Sequence, residues 1–85
     1  MEIKKYRKKP VVIEAIQWNG NNMQEIHSFA GDKAMFKNVD KQPVLILFSH
    51  QSTMVASVTD MIIKGINGEF YPCNIDIFKK TYDNI

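Results

Sequence analysis

The sequence of 85 residues has a single cysteine, four glycines and no long apolar run. Because Cys73 stands alone, an internal disulfide and a cysteine-cluster zinc site are excluded, and a reducing cytoplasmic setting is favoured. No apolar run approaches the roughly 20 residues that a membrane-spanning helix needs. We expect no secretory signal, because Glu14 interrupts the short apolar stretch after the basic start. The scattered glycines form no phosphate-binding loop or dinucleotide fingerprint.

The composition is that of a soluble globular protein, with 45% hydrophobic and 24% charged residues. Its length predicts a single domain over residues 1–85. Residues 1–9 hold five cations and one acid, whereas residues 10–85 hold six lysines and eight acids. Such a basic N-terminal arm is typical of a solvated segment, or of one that meets nucleic acid, a phosphate-bearing ligand or an acidic protein. The mildly acidic body disfavours a dedicated nucleic-acid binder.

Alternating apolar residues and β-branched side chains predict several strands. Residues 11–18 form the clearest one, with Pro10 at its start or at a sheet edge. The dense apolar run 43–48 predicts a buried strand. The dipeptide Asn67-Gly68 predicts a two-residue hairpin turn in which both residues have positive φ. The other predicted strands are 34–37, 53–58, 61–66 and 69–72, with turns at 38–42 and 49–52.

Two short helices complete the prediction. The first spans Asn22 to Ala30, with Asn22 as its N-cap, Glu25 as capping-box partner and Gly31 closing it at positive φ. Asn74 caps the second helix, whose last turn holds two lysines. The apolar face of that helix comprises Ile75, Phe78 and Tyr82. The sequence therefore predicts an α+β fold: a mostly antiparallel sheet of five or six strands, arranged as a meander, with two short helices.

The sequence offers no convincing set of catalytic residues. Cys73 lies near a helix N-terminus, where a thiol can become nucleophilic, and His27 and His50 are candidate bases. No cysteine-protease signature surrounds it, and we expect a buried, small apolar side chain instead. The spacing of these three residues does not match a metal site. No spacing pairs the acids Asp60, Glu69 and Asp76. We therefore predict a protein that is not an enzyme and has no catalytic residue, metal or cofactor.

Cations and aromatic residues occur together before and after the first strand and on the predicted hairpin. An anionic ligand that contains a base needs both, because a cation pairs with phosphate and a ring stacks on the base. The alternative is that the two rings belong to the core and the cations face solvent. The candidate ligand-binding residues are Arg7, Lys9, Gln17, Trp18, Lys64 and Tyr71.

Two segments of the chain resemble a known family. The segments are KKYRKKPVVIEAIQWNG (residues 4–20) and IIKGINGEFYPCNIDIFKKTY (residues 62–82), which together cover 38 of the 85 residues. Both resemble a widespread set of small phage and prophage proteins that are usually left as hypothetical. Where that family reads Pro-Gly-Asp followed by an aromatic residue, this chain has Val58-Thr59-Asp60-Met61 and keeps only the acid.

The resemblance implies a phage-encoded accessory protein that acts in the bacterial cytoplasm, and it carries no activity with it. With the basic arm and the interleaved aromatics, it favours a protein that binds and sequesters a small nucleotide-derived signal of host anti-phage defence. A chain this short is expected to need a homo-oligomer for an enclosing site. One alternative is a protein-binding inhibitor of a host enzyme or defence complex, acting through a strand edge or Phe70-Tyr71-Pro72. Another is a nucleic-acid accessory factor that uses the basic arm.

Overall fold

A computed structural model describes residues 1–49 and 52–85, and it confirms the α+β fold with antiparallel strands and two short helices. The described elements are β1 (Glu14–Gln17), α1 (Met23–Ala30), β2 (Ala34–Val39), β3 (Gln42–Ser49), β4 (Ser52–Ala56), β5 (Met61–Lys64), β6 (Phe70–Cys73) and α2 (Ile75–Thr81). A 3-10 turn at Gly31–Lys33 follows α1. Among the described residues, no helix is long and apolar enough to cross a membrane.

The strands form two three-stranded sheets instead of one. Sheet A has the order β1-β5-β6 and sheet B the order β2-β3-β4, and every pair is antiparallel. Sheet B is the meander that the sequence predicts. Sheet A is not, because β1 pairs with β5 after the chain has completed α1 and all of sheet B.

One hydrophobic core joins the two sheets and α1. Ile26 of α1, Leu45 and Leu47 of β3 and Ile62 of β5 are fully buried in it. The remaining members of the cluster are Trp18, Ala30, Ala34, Ala56 and Phe70. Burying these apolar groups is the main stabilising contribution that the fold receives.

The second face of sheet A is also covered. Side chains alternate between the faces of a strand, so Ala15, Ile63 and Tyr71 point away from the core that holds Ile62. Ile63 is nevertheless only 1% exposed. Phe78 of α2 lines a groove together with Ala15, which places α2 beside this second face.

The hairpin between β5 and β6 differs from the predicted two-residue turn. The Gly65 N–H donates to Glu69 O at 2.7 Å and the Gly68 N–H donates to Gly65 O at 3.0 Å. Gly68 has a φ of 80°, whereas Asn67 keeps a negative φ. The loop therefore has three residues and ends in a bulge at a left-handed glycine, the commonest alternative to the two-residue turn.

The turn with two positive φ values lies elsewhere, between β2 and β3. Asp40 has a φ of 51° and Lys41 a φ of 65°. The predicted turn at 38–42 is thus reduced to two residues, because β2 extends to Val39 and β3 begins at Gln42. The predicted turn at 49–52 includes His50 and Gln51, which lie outside the described residues.

The two helices begin differently. The Asn74 side chain accepts the N–H groups of Asp76 at 2.9 Å and Ile77 at 3.3 Å, as predicted for an N-cap. Asn22 precedes α1 but makes no capping hydrogen bond, so the predicted capping box with Glu25 is wrong. The Asn22 amide instead donates to Gln17 O at 2.8 Å, and its oxygen accepts the N–H of Asn19 at 3.0 Å. Through these two hydrogen bonds, Asn22 connects the end of β1 to the start of α1.

The first strand is shorter than residues 11–18. The strand begins at Glu14, which pairs with Lys64 at the end of β5. The chain turns away from the sheet at Gly65, so residues 11–13 have no strand beside them in that register. Val11 and Val12 are exposed as a result. The strand stops where its partner stops, although its own residues favour a longer one.

Candidate functional site

The structure does not bring the six predicted ligand-binding residues together. Trp18 is 1% exposed and belongs to the core, so its ring is not accessible to a ligand in this structure. The Gln17 amide donates a hydrogen bond to Thr59 O at 3.0 Å. Lys64 is exposed and points to the opposite face of sheet A from Tyr71. The other two predicted cations, Arg7 and Lys9, are exposed on the arm.

Tyr71 does lie in a cleft, but with other partners. The cleft has a volume of about 150 Å³ and lies where the basic arm, the β5–β6 hairpin and the end of α2 meet. The ammonium nitrogen of Lys8 is 5.5 Å from the ring centroid of Tyr82, within the range of a cation–π interaction. We call this the arm cleft, and its lining is Lys8, Val11, Ile13, Gly65, Ile66, Glu69, Tyr71 and Tyr82.

The sequence positions the groups of the arm cleft through three local features. Tyr71 lies on β6, and its strand partner is the buried Ile63. Tyr82 directly follows α2, and its ring packs on Phe78 with 4.9 Å between centroids. Lys8 reaches the cleft from the arm, whose residues have no regular structure up to β1.

Glu69 places a carboxylate at the rim of the arm cleft. One carboxylate oxygen accepts the Asn67 N–H at 3.2 Å, and the side chain lies over Gly65. A Cβ atom at residue 65 would overlap this carboxylate. The absence of a side chain at Gly65 therefore leaves room for the acid to fold back over the hairpin, and with a larger residue there the carboxylate would move aside. The cleft then presents an ammonium group, two phenols and one carboxylate to a ligand.

The pKa of Tyr71 is raised above its ordinary value. Partial burial is the largest cause, and the adjacent Tyr82 phenol and the negative charge of Glu69 add to it. All three disfavour the phenolate. Tyr71 therefore remains a neutral hydrogen-bonding phenol at physiological pH.

We expect the raised pKa of Tyr71 to make the protein less stable in alkali. The folded state holds the phenol proton more tightly, so this contribution is complete below the unfolded pKa of about 10 and is lost as the pH rises above it. Urea unfolding between pH ~9 and ~11 should show a smaller loss for Tyr71→Phe than for the wild type. Equal losses in both proteins would contradict the assignment.

A larger groove adjoins the arm cleft. Its volume is about 950 Å³, and it shares Val11, Ile13 and Tyr82 with the cleft. Its other walls come from β1, from Phe29 and Phe78, and from the last residues of the chain. The cleft alone is smaller than the roughly 300–1,000 Å³ of typical ligand pockets, whereas the cleft and the groove together provide that space.

Three of the four polar groups of the arm cleft, those of Lys8, Glu69 and Tyr82, lie outside the predicted set of ligand-binding residues. Lys8 belongs to the predicted basic arm, but nothing distinguishes it from its neighbouring lysines in the sequence. The sequence places Tyr82 on the apolar face of the second helix. Its position just after the end of α2 is the feature that distinguishes it from the other residues of that face. Phe70, predicted as part of a protein-contact segment, is 6% exposed and packs edge-on against Phe29 with 5.4 Å between centroids. It belongs to the core and is not available for contact.

In the part of the chain that the structure describes, the side chains considered for metal binding form no cluster. Cys73 is half-buried, and its sulfur lies 3.6 Å from Asn74 O; it was expected to be buried. His27 is exposed on α1, and His50 lies outside the described residues. Within residues 1–49 and 52–85, no three His, Cys, Asp or Glu side chains are close enough to hold a metal ion.

Comparisons with known proteins add no relative to this description of the site. No family model, no curated protein and no solved structure matches the chain.

Proposed function

We propose that this chain is a non-enzymatic phage accessory protein that binds and sequesters a small anionic, nucleotide-derived signalling molecule in the bacterial host cytoplasm. The observation that carries the proposal is the placement of Lys8 over Tyr82 next to Tyr71. The phage setting and the link to host defence come from the resemblance of residues 4–20 and 62–82 to phage proteins.

The arm cleft has the chemistry that such a ligand needs. The Lys8 ammonium attracts a phosphate, and the Tyr71 ring is the phenol on which a base can stack, because Phe78 and Lys8 already lie against the Tyr82 ring. Stacking of this kind contributes about 1–3 kcal/mol per base. The Glu69 carboxylate repels phosphate and accepts hydrogen bonds, so it favours a pose with the hydroxyl or amino groups of the ligand on its side.

The dimensions of the site support binding in a homo-oligomer. An intact nucleotide extends beyond a cleft of about 150 Å³ into the adjoining groove of about 950 Å³. Because that groove is partly open, a second subunit that covers it would enclose the ligand. Ligand sites commonly lie at such junctions.

Calorimetric titration with a panel of nucleotides tests the proposal. With protein at ~100 µM, we expect one class among cyclic dinucleotides and ADP-ribose derivatives to bind, and the parent nucleosides without phosphate to bind more weakly. Lys8→Ala and Tyr82→Ala should each weaken binding about 10-fold, because the first removes the charge and the second removes the ring that holds Lys8 at the cleft.

Lys5→Ala is the matched control, since Lys5 is an exposed lysine of the same arm that does not line the cleft. It should leave affinity within about 2-fold of the wild type. The proposal fails when no nucleotide binds, or when Lys8→Ala and Lys5→Ala have equal effects. Multiple turnover of any bound nucleotide would contradict the non-enzymatic part.

The protein-binding alternative is favoured by a separate observation. In sheet A, β1 is an edge strand, and the exposed Val11 and Val12 continue it beyond the last paired residue. Edge strands of this kind accept a strand from another protein. Stoichiometric capture of one host protein, lost in Val12→Lys and independent of nucleotide, would favour this alternative over ligand sequestration.

A further inference from the structure

The N-terminal arm holds large apolar side chains that its own chain does not cover. Residues 1–12 are all exposed, and the exposure reaches 84% for Ile3 and 87% for Tyr6. Residues 1–13 lie outside every strand pairing of the described residues. The molecule is elongated, with a longest dimension of 51 Å and a radius of gyration of 14.6 Å, against about 12 Å for a compact chain of this length. Exposed apolar side chains on such a segment indicate that it binds another surface.

The groove beside sheet A follows the edge of β1. It is lined by the consecutive residues 10–16, whereas a groove on one face of a strand would contact only alternate residues. In sheet A, β1 pairs only with β5, so the backbone groups on its other edge are available to a further strand. The opposite edge strand of the sheet, β6, contacts β3 and β4 of sheet B. The groove therefore marks the edge of sheet A at which a strand can be added.

The groove and the arm have opposite charges. Among the described residues that line the groove there are two acids, Glu14 and Asp83, and no lysine or arginine. The arm, residues 1–9, holds five cations and one acid. The rest of the groove is mostly apolar, with side chains such as Val12 and Phe78. It complements an extended segment that combines apolar side chains with cations, and the arm is a segment of that kind.

The arm is not suited to fold back onto β1 of its own chain. Pairing within one chain needs a tight turn between the arm and β1, and tight turns use glycine, asparagine or aspartate. Residues 1–18 contain none of these three residue types. The segment before β1 instead has Pro10 followed by three β-branched residues, which favour an extended backbone. A connection that does not turn delivers the arm to another copy of the chain.

We propose that two copies of this chain exchange their arms, so that the arm of each copy lies as an added strand along the β1 edge of the other. Seven extended residues span about 23 Å, so residues 1–7 match the length of the groove along residues 10–16. The apolar side chains of the arm enter the groove, and its cations approach Glu14 and Asp83. The same contact occurs twice about a two-fold axis.

This exchange gives the proposed homo-oligomer its second subunit, and in that sense it rests on the proposed function. The arm of the second copy covers the groove that adjoins the arm cleft, and it brings cations to a groove whose own charges are acidic. The measurement is independent of the ligand. Association without nucleotide tests the exchange, whereas nucleotide titration tests the ligand site, so the two proposals can fail separately.

Sedimentation velocity over a concentration series from ~5 µM to ~500 µM measures the association. We expect the mass to rise from the 9.8 kDa of one chain to twice that value. Tyr6→Asp should keep the mass at one chain over the whole series, because it removes an apolar side chain and brings an acid to an acidic groove. Tyr6 is 87% exposed, so this variant is expected to fold normally, which circular dichroism verifies. Val55→Asp is the matched control, since Val55 is an exposed apolar residue of β4 outside the groove, and it should associate like the wild type.

A charge swap tests whether the arm and the groove belong to different copies. One variant carries Lys4→Glu and Arg7→Glu in the arm, and the other carries Glu14→Lys and Asp83→Lys in the groove. Each variant alone should associate about 10-fold more weakly than the wild type, because its arm no longer matches its groove. In an equal mixture every arm meets a groove of opposite charge, so the mass should rise again toward two chains.

Four results would overturn the exchange of arms. The first is a wild type that remains at one chain mass up to ~500 µM. The second is a dimer that survives Tyr6→Asp, and the third is one that Val55→Asp disrupts equally. The fourth is a mixture of the two charge-swap variants that associates no better than either variant alone.

Discussion

Replacing Trp18 by alanine is expected to lower the free energy of unfolding by about 3–5 kcal/mol. The side chain is 1% exposed, and its ring packs on Phe36 with 5.5 Å between centroids. Its backbone also joins the end of β1 to the loop before β5, since the Trp18 N–H donates to Asp60 O at 2.9 Å. Removing the ring leaves a cavity at the point where the two sheets meet. Urea unfolding followed by far-ultraviolet circular dichroism measures the loss.

Lys9→Ala serves as the control for Trp18→Ala, because both residues were predicted to bind ligand and Lys9 is exposed. It should change the free energy of unfolding by less than about 0.5 kcal/mol. Trp18→Phe should lose less than Trp18→Ala, since most of the apolar volume remains. A Trp18→Ala protein of wild-type stability that no longer binds nucleotide would return this residue to the ligand site.

The strands could be predicted from the sequence because each depends on a local pattern, but the division into two sheets could not. The alternation in residues 11–18 and the apolar residues 61–63 indicate strands. Nothing local shows that β1 pairs with β5, 47 residues later, because that pairing is decided by the joint burial of Ile62, Phe70 and Trp18 in one core. Topology of this kind depends on non-local contacts, which periodicity does not report.

The turns illustrate a second limit. Asn67-Gly68 is the dipeptide most typical of a two-residue turn, yet the hairpin takes a three-residue loop. The strand register decides this, since Lys64 pairs with Phe70 and leaves Gly65 opposite Glu69. Conversely, Asp40 and Lys41 adopt two positive φ values that lysine does not favour, because β2 and β3 pair up to Val39 and Gln42. The gain from a longer ladder outweighs the local preference.

The candidate site was only partly predictable for the same reason. The sequence indicates that cations and aromatic rings are available, but burial decides which of them remain at the surface. Trp18 is buried in the core. Tyr71 lies on the face of sheet A that points away from the core, and its phenol lines the arm cleft. Lys8 is selected over the other lysines of the arm by its approach to Tyr82, a contact between the two ends of the chain.

Thr59→Gly is expected to raise the free energy of unfolding by about 1 kcal/mol. Thr59 has a φ of 84°, a conformation that a β-branched residue adopts only under strain and that glycine adopts freely. Two hydrogen bonds keep Thr59 in this conformation. The Thr59 N–H donates to Trp18 O at 2.7 Å, and the Gln17 amide donates to Thr59 O at 3.0 Å. Because glycine makes the unfolded chain more flexible, it offsets part of the stability gained by removing the backbone strain.

Thermal unfolding should show the Thr59→Gly gain as a rise in Tm of about 4–8 °C. Thr53→Gly is the matched control, because Thr53 is an exposed threonine within β4. Glycine in the interior of a strand is expected to cost about 0.5–1 kcal/mol, so the same substitution should have opposite signs at the two positions. Thr59→Ala should give no comparable gain, since alanine keeps the Cβ atom that positive φ disfavours. If Thr59→Gly destabilises the protein as much as Thr53→Gly does, the turn at residues 57–60 is not strained. The hydrogen bonds around Trp18 would then form without any cost in backbone strain at Thr59.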